Sequence, residues 1–283
     1  MKTIVLEAKN LIKVYNHTKA VDSINLQIQE GEIFGFLGPN GAGKTTTILM
    51  ALGLTEPTSG EINVFGYNST REPLKVKKIT SYLPENVGFY EDLTAQENLK
   101  YITRLNGIPG KKADAKIEEV LKNVGLQDVT QVEVGKYSKG MKQRLGMAAV
   151  LVKEPKLAIL DEPTTGIDPK GVEEILELIV RMSREQNITV LLSSHLLYQV
   201  QKICTKIGII SQGRIVAQGT IEEIGKSLLK EEKEDLLEVK VANKLTPTLV
   251  ESIKQIEGVM GVEKKSPDHS LEEIYIKYFR EDN

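Results

Sequence analysis

The chain has 283 residues, enough for one large core with an appendage and short of two full domains. Its 40% hydrophobic and 27% charged residues are those of an ordinary globular protein, which excludes disorder and fibrous repeats. Lys and Arg total 37 against 39 Asp and Glu, a net charge of −2, so no basic field favours nucleic acid and any bound anion must be held locally.

The opening MKTIVLEAKN lacks the apolar run and cleavage site of a signal peptide. Residues 4–8 and 24–28 are β-rich, the second run alternating as a half-buried strand does, and residues 33–37 are continuously apolar. That third run stops at Gly38 and passes through a glycine-rich turn into a helix expected over about 43–52. Residues 93–149 read as helix with breaks at 107–110, Gly125 and Gly135, which predicts a helical subdomain over about 90–150. Then come a buried strand at 157–160, an amphipathic helix at 170–186 and a β-branched strand at 188–192. This alternation predicts an α/β fold with a mostly parallel sheet.

The long uncharged stretch over 187–201 contains Ser193, Ser194 and His195, whereas a membrane-spanning helix needs about 20 mostly apolar residues. No segment is expected to cross a bilayer. Past Gly219 the chain becomes dense in charge, so the main domain is placed at 1–225, a charged linker at 226–235 and a small α+β extension at 236–283. The extension is expected to contain strands at 236–241 and 259–264 and helices at 247–257 and 271–279. Cys204, the one cysteine, cannot form an internal disulfide and reads as a buried small hydrophobe, which fits a reducing cytoplasm.

The strongest local pattern is GPNGAGKTT, made of Gly38, Pro39, Asn40, Gly41, Ala42, Gly43, Lys44, Thr45 and Thr46, which fits GxxxxGK[ST] between a buried strand and a helix. Glycines let the backbone N–H groups curl inward, and the helix that follows turns its positive end to the same anion. A triphosphate suits this cradle, with Lys44 reaching the β- and γ-phosphates and the Thr45 hydroxyl on magnesium. A second pattern, LAILDEPTTGIDP, places Asp161 at the end of a buried strand, to hold magnesium through water, and Glu162 beside it, to accept a proton from the attacking water.

With these motifs in order, the sequence resembles the nucleotide-binding subunits of ABC transporters over about residues 3–220. YSKGMKQR at 137–144 is similar to the family's signature, LLSSHL at 191–196 to its histidine switch, and Gly166, Ile167 and Asp168 to its D-loop. The resemblance implies a P-loop ABC cassette whose mixed, mostly parallel sheet carries an N-terminal antiparallel part and a helical subdomain. It implies that Tyr15 stacks on adenine, that His195 meets the γ-phosphate, and that Ser138, Lys139 and Gly140 bind the ATP of a partner subunit. His17 and His269 match no motif and are read as surface residues. Two positions depart from the family: Glu85 replaces the usual glutamine of the loop that links ATP to the permease, and Lys139 replaces a signature glycine. Glu85 brings a charge to its role near magnesium, and Lys139 either faces the partner's nucleotide or points to solvent.

What the resemblance further implies is an ATPase using ATP and Mg2+, paired head-to-tail with a second copy and docked on a transmembrane permease at the cytoplasmic face of the cell membrane. Glu85 and a helix over about 86–104 are where the family receives the permease. The spelling is most similar to the export-type, ABC-2-like subgroup, with a weaker similarity to the ATPase that serves copper maturation of nitrous oxide reductase. A soluble ATPase acting on nucleic acid or ribosomes, and a regulatory subunit without turnover, are the alternatives from other classes.

Overall fold

The structure, a computed structural model, describes residues 3–224 and 246–256. The chain divides into two compact units, Met1–Ile221 and Glu222–Asn283. In the first, a four-stranded antiparallel sheet has the order β2-β1-β4-β5, with β1 at Ile4–Tyr15, β2 at Thr18–Gln29, β4 at Ser59–Val64 and β5 at Tyr67–Asn68. Both long strands outrun the segments expected at 4–8 and 24–28. Their ends alternate with charged residues, and the turn between them is Asn16-His17, both left-handed at φ 43 and 70. Two positive φ values in a two-residue loop match the right-handed twist of a hairpin, and Asn-His is a quieter signal than Asn-Gly.

The second sheet has the order β10-β9-β3-β8-β7-β6. Five strands are parallel: β3 (Ile33–Leu37), β6 (Thr80–Leu83), β7 (Leu157–Asp161), β8 (Thr189–Ser194) and β9 (Lys206–Ser211), while β10 (Arg214–Gly219) is antiparallel to β9. Every residue of β3, β7 and β8 is buried. Parallel strands covered on both faces read as unbroken apolar runs, which is why these three stood out in the sequence. Side chains still alternate between two cores. Phe34, Phe36, Leu157, Ile159 and Leu191 join the apolar cluster of β1, β2 and β4, whereas Leu160, Val190 and Leu192 join that of the helical layer.

The helices are α1 (Lys44–Ala51), α2 (Pro73–Ile79), α3 (Ala95–Leu105), α4 (Gly110–Asn123), α5 (Lys139–Leu151), α6 (Pro169–Gln186) and α7 (Leu197–Ile203). The expected breaks occur, with left-handed Gly107 and Gly125 closing α3 and α4. The helix expected from 86 does not start there. Thr94 caps α3 in a reciprocal box with Glu97, and the Asn98 amide donates to Tyr90 O and Thr94 O at 3.0 Å, holding the preceding loop out of helical form. α5 begins at Lys139, directly after its N-cap Ser138.

Of the second unit, α8 (Pro247–Lys254) is described, its start capped by Thr246. The expected linker at 226–235, the strands at 236–241 and 259–264, and the helix at 271–279 lie outside the described residues, as does His269.

Candidate functional site

Parallel pairing puts the carboxyl ends of β3, β8 and β7 side by side, so three loops leave the sheet at one edge, where α/β folds collect ligands. The first runs from Gly38 to Gly43. Gly43 has φ 107, and a side chain there would meet Ala20 O at 2.5 Å; at Gly38 it would meet Ile210 O at 2.4 Å. Only glycine lets the loop curl this tightly. Asn40 and Gly41 form its exposed rim, Ala42 is buried, and Thr46 is half-buried on α1. The first N–H groups of α1 have no partner in their own helix, so the positive helix end faces the hollow. Lys44 is buried and folds over the loop, donating to Gly38 O at 2.6 Å and Pro39 O at 3.2 Å.

Across the hollow, Thr45 Oγ1 donates to Asp161 Oδ2 at 2.9 Å. Asp161 ends β7 and is 2% exposed. Its other oxygen accepts from Ser193 Oγ at 2.5 Å, and the Tyr82 hydroxyl approaches Oδ2 at 3.4 Å. Burial and then the charge of Asp161 push the Tyr82 phenol well above its usual range, so it stays a donor. Glu85 is exposed in the loop after β6 and adds to that field.

Glu162 is buried with left-handed backbone, φ 49. Its N–H donates to Ser193 Oγ at 3.0 Å, which fixes that unusual turn. His195 Nδ1 lies 2.8 Å from Glu162 Oε2. The other oxygen, Oε1, is 3.2 Å from Lys44 Nζ, yet it is buried and accepts no aligned hydrogen bond. A cradle of backbone N–H groups, an ammonium and a carboxylate oxygen left open to accept together suit a phosphate chain with its metal and a water. The residues present therefore fit a magnesium nucleotide.

The signature residues stand elsewhere. Ser138 Oγ accepts from Met141 N at 3.2 Å at the start of α5, and Asp168 Oδ1 accepts from Gly171 N at 3.0 Å at the start of α6. With Gly140 they line a shallow cleft of about 280 Å³ to which no residue of the 38–46 loop contributes. Lys139 lies along the D-loop: a side chain on Gly166, at φ 72, would come within 2.3 Å of its Nζ. The exposed Lys139 chain therefore packs on its own D-loop. Tyr15 stands at the β1–β2 turn, 44% exposed, with the Lys13 ammonium 4.8 Å above its ring, and His17 is exposed beside it. Cys204 is half-buried, and burial of its sulfur raises the thiol well above its usual range, which disfavours the thiolate.

Sequence reading singled out neither Ser193 nor Tyr82. A serine inside an apolar strand was the available signal for the first. Tyr82 needed the knowledge that β6 pairs with β7.

A glycine loop running from a buried strand into a helix N-terminus, facing an Asp-Glu pair at the end of β7 across the intervening β8, defines a P-loop nucleoside triphosphatase. The ABC transporter family profile matches residues 21–165. The chain is 44% identical over 243 residues to the bacitracin transport ATP-binding protein BcrA of Bacillus licheniformis, covering 86% of this chain and 76% of the relative. It is 39% identical over 226 residues to the daunorubicin/doxorubicin resistance ATP-binding protein DrrA of Streptomyces peucetius, covering 80% and 68%. A solved ATP-binding subunit of an ABC transporter superposes with a TM-score of 0.71 at 31% identity, over 79% of this chain and 93% of that one. The chain belongs to the ABC transporter family and is one of its ATP-hydrolysing subunits.

Proposed function

We propose that two copies of this chain close on two ATP molecules and open after hydrolysis, driving a separate transmembrane permease in the export direction. The reading rests on one observation above the others: the buried Glu162 carboxylate, held by His195 on one oxygen and left without a hydrogen bond on the other, beside Lys44. Glu162 takes the proton of the attacking water at Oε1, and His195 orients that carboxylate and meets the γ-phosphate. Lys44 trades its bonds to Gly38 O and Pro39 O for phosphate oxygens, while the N–H groups of residues 41–46 hold the β-phosphate. Thr45 and Asp161 would hold Mg2+, with Glu85 contributing from its loop; when bound, the ion would supply positive charge to neutralise the phosphates. Tyr15 stacks on adenine.

Ser138 and Gly140, with Asp168, serve the ATP of the second copy, a reading supported by the cleft they line without any residue of this chain's own phosphate loop, while Lys139 braces the D-loop beside them. Export is supported by the relatives, which include a bacitracin transport and a drug resistance subunit. No described helix is long and apolar enough to cross a membrane, so a permease supplies the path and holds this chain at the inner face of the cell membrane. No nucleic acid partner is expected at a net charge of −2.

Glu162→Gln is the test. ATP binding is retained and hydrolysis falls by about a hundredfold or more, the scale of a lost general base; undiminished turnover would sink the assignment.

A further inference from the structure

We propose that Gln199 is a positioning residue for ATP hydrolysis, its buried amide tying the loop that follows Glu162 to the strand end that carries His195. Gln199 lies on α7 and is 0% exposed. Its Oε1 accepts from Thr164 Oγ1 at 2.6 Å and, more weakly, from Ser194 Oγ at 3.5 Å. Its Nε2 donates to Tyr198 OH at 3.1 Å, so both ends of the amide are used. Thr164 is two residues past Glu162 and 2% exposed, and its carbonyl accepts from Ile167 N at 3.3 Å, inside the D-loop. Ser194 directly precedes His195 and accepts the Leu196 N–H at 3.0 Å, which shapes the turn carrying the imidazole.

One acceptor oxygen is thus shared by two loops that are far apart in sequence and meet at the Glu162–His195 contact. An apolar residue would fill the same buried volume without desolvating an amide, so core packing does not call for glutamine here. Holding two segments in register does. A displacement near 1 Å at a reacting pair costs about a hundredfold in rate, so a bridge of this kind acts on turnover rather than on binding.

The inference rests on the roles given to Glu162 and His195 above. Steady-state ATP hydrolysis and nucleotide affinity are measured on the full-length chain. Gln199→Met, close in shape but without acceptor or donor, lowers kcat by about tenfold and leaves KM for ATP within about twofold. Gln199→Glu keeps the acceptor and recovers most of the rate. Thr164→Val cuts the same bond from its other end with little change in volume, gives the same kcat-only loss, and adds nothing on top of Gln199→Met. The inference is overturned if the two losses multiply, if Thr164→Val turns over like the unaltered chain, or if KM rises in step with a fallen melting temperature. Should Gln199→Met fail to fold, Thr164→Val decides alone. Full turnover by Glu162→Gln would instead sink the underlying site assignment, whatever the Gln199 variants do.

Discussion

Ser193 never reaches solvent, yet its hydroxyl donates to Asp161 Oδ1 and accepts the Glu162 N–H. One group therefore sets the rotamer of one carboxylate and the left-handed backbone of the next. Ser193→Ala leaves a buried carboxylate oxygen without its donor, a cost of about 1–3 kcal/mol. The expected outcome is a kcat lowered by about tenfold and a magnesium titration of ATPase activity displaced to higher concentration. An unchanged titration would mean that Asp161 keeps its orientation without Ser193. Lys44, Thr45, Asp161 and Glu162 were legible in the sequence because chemistry fixes both residue type and spacing there. Ser193 and Tyr82 were not, because each meets Asp161 only across a strand pairing, β8 on β7 or β6 on β7, and no local pattern encodes a neighbour across a sheet.

At the scale of elements the same contrast holds. The buried parallel strands β3, β7 and β8 announced themselves as apolar runs, and the glycine breaks of the helical layer held. β4, β5 and β10 went unread because they are short and half-exposed, β9 because Gly208 interrupts its buried apolar run, and the Gln212-Gly213 turn, at φ 46 and 79, resembles ordinary surface sequence. Those strands matter to the architecture. Arg214 on β10 donates through Nε at 2.8 Å and Nη2 at 2.6 Å to Asp22 Oδ2 on β2, joining the antiparallel sheet to the mixed one. The Arg214 bonds, then that of Lys19, hold the Asp22 carboxyl below its ordinary range. A depressed folded pKa contributes stability that is complete above the unfolded value, about 3.9, and is lost as pH falls through the folded value. Arg214→Gln is therefore expected to lower the melting temperature near neutral pH and to make no difference in strong acid. Melting curves of both proteins across pH check this, and a gap that persists in strong acid would refute it.

For the molecule as a whole, the proposed pairing sets the Ser138 cleft, to which the phosphate loop contributes no residue, against the ATP of a second copy. In a Glu162→Gln background, ATP is expected to bring two chains together, read as a doubling of mass in sedimentation. Ser138→Glu added to that background sets a carboxylate against the partner's triphosphate, so the pair fails to form while each monomer still binds ATP. Dimers that persist in the double variant would place the facing surface elsewhere. The central pairing of the sheet also governs how the protein is made. β3, which leads into the phosphate loop, joins β8 in the register Ile33↔Val190, with helices α1 to α6 lying between. Closing so long a loop delays contact formation. During synthesis the phosphate loop emerges early but gains its neighbour only after β8 has left the ribosome, so a nascent or truncated chain has a motif and no site. Nucleotide capture is therefore expected only once the chain through His195 has been made.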